Sequence, residues 1–240
     1  MSTALSTTVA KQLEARKKDM AARLAGLGGD GGNMQFLRAK AGKFRFPDDE
    51  IVKGEVTAVI IDWAYHYGYW DSVYDPSNHE PPVCVAVGQN AATLKPAASS
   101  PKRQNDDCAT CPMNQFGSGG GNRKACKNTV NLALIRYDDE IEDDTIYFLS
   151  IPPASLRNFK QYASKVAETG RDLAEVVTVI SFDDAVDYVK FKFTADARMT
   201  KDYTEEDDDG SSYLAGYLTK MPEATDLLLR EPSFESSDES

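Results

Sequence analysis

Four cysteines, Cys84, Cys108, Cys111 and Cys126, fall within one short stretch of a 240-residue chain that has no others. Zinc prefers four soft ligands in a tetrahedron, and a tight turn such as Cys108-Ala109-Thr110-Cys111 presents two thiolates from one backbone bend. Pro112 stiffens the exit from that knuckle, and the run Gly117, Ser118, Gly119, Gly120, Gly121 forms a loop flexible enough to return Cys126 to it. The long interval between Cys84 and Cys108 leaves His79 as the alternative fourth ligand. Two disulfides, a redox dithiol or unrelated buried thiols are the competing readings. The stretch from Lys11 to Arg23 is charged, unlike the apolar core of a secretory signal, so a reducing compartment is expected, and there structural disulfides are disfavoured. A redox pair would leave two cysteines idle. A closed four-thiolate site has no open position for water, so the metal is read as structural.

Charge sharpens the reading. The net charge of -11 argues at face value against a nucleic-acid partner, but its distribution reverses the inference. Residues 1–34 carry 5 basic and 3 acidic side chains, residues 35–136 carry 12 and 10, and residues 137–240 carry 10 and 25, for nets of +2, +2 and -15. The cysteine-bearing part is mildly basic, and the acids concentrate at 205–209 and 231–240. Such asymmetry is how proteins of polyanions carry an internal competitor, and it also serves plain solubility. No run of about 18 apolar residues is present, so no membrane-spanning helix is expected.

Residues 7–27 have a loose helical stripe, Val9, Leu13, Met20, Leu24 and Leu27, stopped by Gly28-Gly29. With the Gly-rich linker behind it, 1–34 reads as a peripheral helical arm. From Phe36 the texture predicts strands at 35–39, 43–46, 53–67, 83–87, 129–137 and 145–151, a helix over 154–169, and a hairpin of 176–182 and 186–194 across Asp183-Asp184. In the long strand Val56, Ala58 and Ile60 form the core face, and unbroken alternation puts Thr57, Trp63, Tyr65 and Tyr67 on the other side. In the last strand Val189, Phe191 and Phe193 face the core, and Tyr188, Lys190 and Lys192 face outward. These elements predict a mainly β domain over 35–200, an OB-fold-like partly open barrel with a helix between its later strands and a zinc-binding insertion at about 84–127. A β-sandwich or an α+β sheet accommodates the same elements. Residues 201–240 read as an acidic segment with short helices at 212–218 and 223–229 and a tail too poor in apolar residues to fold.

The run 62–74, DWAYHYGYWDSVY, holds Trp63, Tyr65, Tyr67, Tyr69 and Trp70. Unpaired bases stack on such rings for about 1–3 kcal/mol each, whatever their identity. Packing alone also favours tyrosine on strands, so about half of these rings are expected to face solvent. Cations lie near in sequence or on the hairpin: Lys102, Arg103, Arg123, Lys124, Lys127, Lys190 and Lys192. A metal-pinned loop would hold them against a phosphate backbone, where counterion release adds salt-dependent affinity. The Gly-Ser-Gly-Gly-Gly run lacks the Gly-Lys-Ser/Thr of a nucleotide-hydrolysing loop. Only His66 and His79 are available as imidazole bases, neither in a nucleophile motif, and the acidic pairs at 48–49, 138–139 and 183–184 sit at turns, so no enzyme is expected.

The run 108–128, CATCPMNQFGSGGGNRKACKN, preceded by PPVC at 81–84 and followed by an apolar strand and IPPASL at 151–156, resembles a family of tailed-phage single-stranded DNA-binding proteins with a zinc-binding cysteine cluster. The resemblance spans roughly 35–195. It implies an OB-type core, one zinc, sequence-tolerant coating of single strands, and a part in phage DNA replication, recombination and repair in the cytoplasm of the infected host. Better-known zinc-containing phage binding proteins mix histidine with cysteine at other spacings, which keeps His79 open. The tail residues Phe234, Glu235, Asp238 and Glu239 are expected to occupy the DNA groove in the free protein and to recruit replication or recombination partners when displaced. The rival reading is a zinc-stabilised protein-interaction or transcription-regulating module whose tyrosines are core.

Overall fold

The computed structural model describes residues 34–72, 80–137, 145–204 and 213–232, and in them the chain is mainly β. The strands are β1 (Gln35–Phe36), β2 (Arg38–Lys40), β3 (Lys43–Arg45), β4 (Ile51–Lys53), β5 (Glu55–Tyr69), β6 (Cys84–Gly88), β7 (Lys127–Arg136), β8 (Ile146–Ile151), β9 (Val177–Phe182) and β10 (Phe191–Ala195). Helix α1 (Pro153–Glu168) separates β8 from β9, and α2 (Ala197–Thr204), α3 (Tyr213–Leu218) and α4 (Met221–Leu228) follow β10. A seven-stranded mixed sheet has the order β1-β8-β7-β5-β9-β10, with β6 attached to β5. Its path ends at β1 and β10 and does not close into a barrel. Strands β2, β3 and β4 make a separate antiparallel sheet. No described helix is long and apolar enough to cross a membrane. The predicted arm at 7–27 lies outside the described residues.

The organising element is β5. Its first half, Glu55–Val59, pairs with β9, its second half, Tyr65–Tyr69, pairs with β6, and its other edge pairs with β7. A register shift against β7 between Ile60 and Asp62 marks a β-bulge. One extra residue reverses the alternation that follows it. Trp63 and Tyr65 therefore pack against the same cluster as Val56, Ala58 and Ile60, where unbroken alternation had placed them on the opposite face. The rings of Trp63 and Phe159 meet edge to face at 5.8 Å.

Val59, Ile61 and Ala64 are buried on the other side of β5. Helix α4 packs on β5 and β7, buries Ala224 and Leu228, and is fastened by a short hydrogen bond from the Thr225 hydroxyl to the Asp62 carboxylate.

Helix α1 starts at Pro153, whose missing N–H and fixed φ suit a first turn, and ends before Gly170 at φ +77°. Ser155, Phe159, Tyr162 and Val166 form its buried stripe. Ser155 is fully buried and accepts the backbone N–H of Phe191 at 2.8 Å, joining the first turn of α1 to the start of β10. Ser155→Ala leaves that N–H buried without a partner and is expected to cost about 1–3 kcal/mol, measured as a lower denaturation midpoint at unchanged m-value.

The β9–β10 connection is longer than the expected two-residue turn. Pairing starts only at Phe191↔Phe182, and 183–190 is a loop closed by the Asp183 N–H to Lys190 carbonyl bond at 2.7 Å. Tyr188 therefore sits on an exposed loop and not on a strand. Helix α2 was not anticipated; Asp196 caps it, its carboxylate accepting the Met199 N–H at 2.8 Å.

Candidate functional site

The end of β5 lies between β6 and β7. Tyr69 pairs with Cys84, and Gly68 pairs with Lys127, the residue after Cys126. Two cysteines far apart in sequence are thus delivered to opposite flanks of one strand end. The knuckle is brought to them by backbone bonds: the Cys108 N–H donates to Leu94 at 3.0 Å and the Cys126 N–H to Met113 at 2.8 Å. After Cys111 the chain makes one 3-10 turn, Pro112–Asn114. The Gln115 amide donates to the carbonyls of Ala109 at 3.0 Å and Cys111 at 3.1 Å, clasping the knuckle from outside.

All four thiols are free, with Cys108 and Cys111 buried. Burial, with Cys84 and Cys111 beside it, pushes the Cys108 thiol up to about 12. Burial, with Cys108, Cys111 and Cys84 nearby, likewise pushes Cys126 up to about 12, against a small opposing effect of Lys124. The four sulfurs share one electrostatic neighbourhood. Among the described residues no three cysteine, histidine or carboxylate side chains already stand in metal-ligating geometry. His79 lies outside the described residues.

The glycine-rich run is hydrogen-bonded into shape, not slack. The N–H groups of Gly117 and Gly119 both donate to the Arg123 carbonyl, at 2.9 and 3.1 Å, and Ser118 Oγ accepts the Ala125 N–H at 2.9 Å. A Cβ on Gly119 would stand 2.7 Å from the Lys124 carbonyl oxygen, so only glycine fits there. This turn returns the chain to Cys126 and sets Arg123 and Lys124 on its rim.

Between the loop, β5 and the start of α1 lies a groove of about 600 Å³. It is lined by Tyr65 and Tyr67 of β5, by Phe116, Arg123, Lys124 and Cys126 of the cysteine loop, by Lys127 and Asn128 at the start of β7, and by Leu156 of α1. Phe116 is 72% exposed, and the Lys124 ammonium stands 5.1 Å from its ring centroid. Tyr67 is largely buried against Ala86, Leu94 and Cys108, whereas Tyr65 is half-buried. Desolvation raises the Tyr67 hydroxyl pKa, and the neighbouring Asn128 amide opposes the shift. The Asn128 carbonyl oxygen is buried without a hydrogen-bond partner.

The structure thus brings Tyr65, Tyr67, Arg123, Lys124 and Lys127 to one place. Trp63, Tyr69, Trp70, Lys102, Arg103, Tyr188, Lys190 and Lys192 do not line the groove. Trp70 is anchored: its indole N–H donates to the Glu80 carbonyl at 2.9 Å, and its ring lies so close over Gly68 that a Cβ there would come within 2.9 Å. Lys102 pairs with Asp71 at 2.9 Å, each strengthening the other's charged state. On the hairpin, Lys190 stands 2.7 Å and Lys192 3.9 Å from the Asp183 carboxylate, so that cation pair is partly neutralised. Phe234, Glu235, Asp238 and Glu239 lie outside the described residues. Sequence reasoning passed over Phe116, although a lone aromatic in a polar, glycine-rich loop between two cysteines has no core to enter. No protein-family model matches the chain, and neither curated proteins nor solved structures gave a match.

Proposed function

We propose that this chain is a single-stranded DNA-binding protein and not an enzyme, with the groove between β5, the cysteine loop and α1 as its strand-binding surface. One observation carries the reading: aromatic surface from Tyr65 and Phe116 and three cations, Arg123, Lys124 and Lys127, line one groove of about 600 Å³. Sequence-tolerant binding of single strands needs that combination, rings for bases and cations for phosphates. The volume falls within the about 300–1,000 Å³ of small-ligand clefts, room for an unstacked nucleotide and not for a duplex.

The sheet supports an OB-type core. A long strand shared by several partners, the meander β5-β7-β8, a helix, and a hairpin that returns to the long strand make an open Greek-key arrangement in which the early strands face the ligand. The cysteine insertion between β5 and β7 then projects from the strands expected to carry the nucleic acid.

The donor set fits structural zinc, with Cys84, Cys108, Cys111 and Cys126 as ligands and His79 as the substitute for Cys84. Zinc, when bound, would supply a crosslink between the knuckle and the ends of β6 and β7. The protein's own residues do the binding work: Gln115 and Asn114 hold the knuckle, and the Gly119 turn presents Arg123 and Lys124. The resemblance of 108–128 to phage single-stranded DNA-binding proteins supports a part in phage DNA replication, recombination and repair in the infected host's cytoplasm. The acidic tail would compete for the groove and recruit phage partners through Phe234 and its neighbouring acids.

Trp63 and Trp70 do not line the groove, so a labelled strand is a better reporter than intrinsic fluorescence. Fluorescence anisotropy is expected to show tight binding to single-stranded oligonucleotides, far weaker binding to duplex, and no cleavage. Three groove cations predict a log–log salt slope of about -2, at about 0.7 per phosphate. Equal affinity for duplex, or a cleaved strand, would count against this reading.

A further inference from the structure

Asn114 is a buried polar residue, 7% exposed, in a loop where Pro112 and Gln115 beside it are exposed. An amide is buried at a cost unless its atoms are paired, and those of Asn114 are paired in two directions. Its Nδ2 donates to the Cys108 carbonyl at 2.6 Å. Its Oδ1 accepts from the Lys124 ammonium at 3.1 Å and from the Asn128 amide at 3.0 Å. Asn128 is the β7 residue paired with Tyr67 across the sheet, and both line the groove. One side chain that does not itself line the groove therefore joins the cysteine knuckle to Lys124 and to Asn128, the strand partner of Tyr67, both of which line it.

Resting on the function proposed above, we infer that Asn114 is the positioning residue of the groove, holding Lys124 and the Asn128–Tyr67 pair in register with the knuckle so that a single strand meets a pre-set surface. A free lysine has a flexible stem and must be ordered when it meets a phosphate. Here Lys124 is already held between the Phe116 ring and Asn114 Oδ1. The Asn128 amide is fixed on its Nδ2 side by the same oxygen. The knuckle is thereby coupled to the groove through a neutral amide that does not itself line it.

The test has two arms. In the free protein, amine acylation followed by peptide mass spectrometry reads the accessibility of Lys124 against Lys127 as an internal reference. Asn114→Ala is expected to raise Lys124 labelling several-fold and leave Lys127 unchanged. In oligonucleotide titrations the same variant is expected to bind about tenfold more weakly, with the salt slope shallower by about 0.7. Asn114→Ala in a Lys124→Ala background should leave the slope at that of Lys124→Ala alone. Asn114→Asp keeps an acceptor for Lys124 and should retain both its protection and the slope; it carries the test if the alanine variant does not fold, and loss of both features in it overturns the inference. Unchanged Lys124 labelling in Asn114→Ala overturns it too, as does raised labelling with affinity and slope intact. Absence of any strand binding by the wild-type protein retires the proposed function, and the labelling arm still decides whether Asn114 holds Lys124.

Discussion

Protein purified without added metal is expected to carry one zinc per chain, and stripping it is expected to lower the melting temperature by about 4–12 °C. A structural metal site contributes folding free energy outright. Here the main cluster, from Phe44 through Ile60, Leu132 and Phe191, does not include the knuckle, so the loss falls on the insertion. A loss of about 2–3 kcal/mol at about 2–4 °C per kcal/mol gives that range for a chain of this size. Tyr67, Leu94 and Ala86 pack on Cys108, so loosening the knuckle also exposes a wall of the groove. Because burial and the neighbouring thiols hold Cys108 and Cys126 at about 12, both are protonated before metal enters, and binding must release protons. Zinc affinity therefore rises with pH and falls on acidification. Metal analysis and melting with and without a chelator check the account; metal-free protein of unchanged stability contradicts it. Full zinc affinity in Cys84→Ser would assign the fourth position to His79.

The second large effect separates stacking from folding. Phe116→Ala is expected to weaken single-strand binding by about 1–3 kcal/mol, roughly 5- to 150-fold, at every salt concentration, without lowering stability. At 72% exposure that ring supports no core, which makes it a cleaner probe than the tyrosines. Tyr65→Ala should weaken binding by a similar factor with a modest stability loss, because its ring also meets Trp63 at 5.3 Å. Tyr67→Ala removes a buried ring and is expected to destabilise the protein by about 3–5 kcal/mol. Anisotropy titrations paired with thermal melts distinguish these outcomes. A Phe116→Ala protein with wild-type affinity would remove that ring from the interface.

Much of this arrangement was legible in the chain itself. Runs such as Val56–Ile61 and Val130–Ile135 are β-branched or apolar enough to announce strands, and the α1 stripe has clear helical spacing. What the pattern concealed was the bulge. Alternation continues on both sides of Ile61, so nothing local reports the one-residue slip that moves Trp63 and Tyr65 onto the core side. The 183–190 loop was hidden for a similar reason, since Tyr188, Val189 and Lys190 continue the alternation of β10 while the Asp183–Lys190 bonds hold them out of the ladder. The grouping of Arg123 and Lys124 with Tyr65 depends on how the Gly119 turn folds back. Asn114 was invisible as a hub because its partners, Cys108, Lys124 and Asn128, lie up to 14 residues away.

Photocrosslinking bears most directly on the central claim. A single-stranded oligonucleotide carrying a halogenated thymine, irradiated in complex with the full chain and mapped by peptide mass spectrometry, is expected to give adducts at Phe116 and Tyr65. Those adducts should fade as salt rises. Adducts confined to Tyr188 and the β9–β10 hairpin, or to Trp70, would place the strand elsewhere and contradict the account.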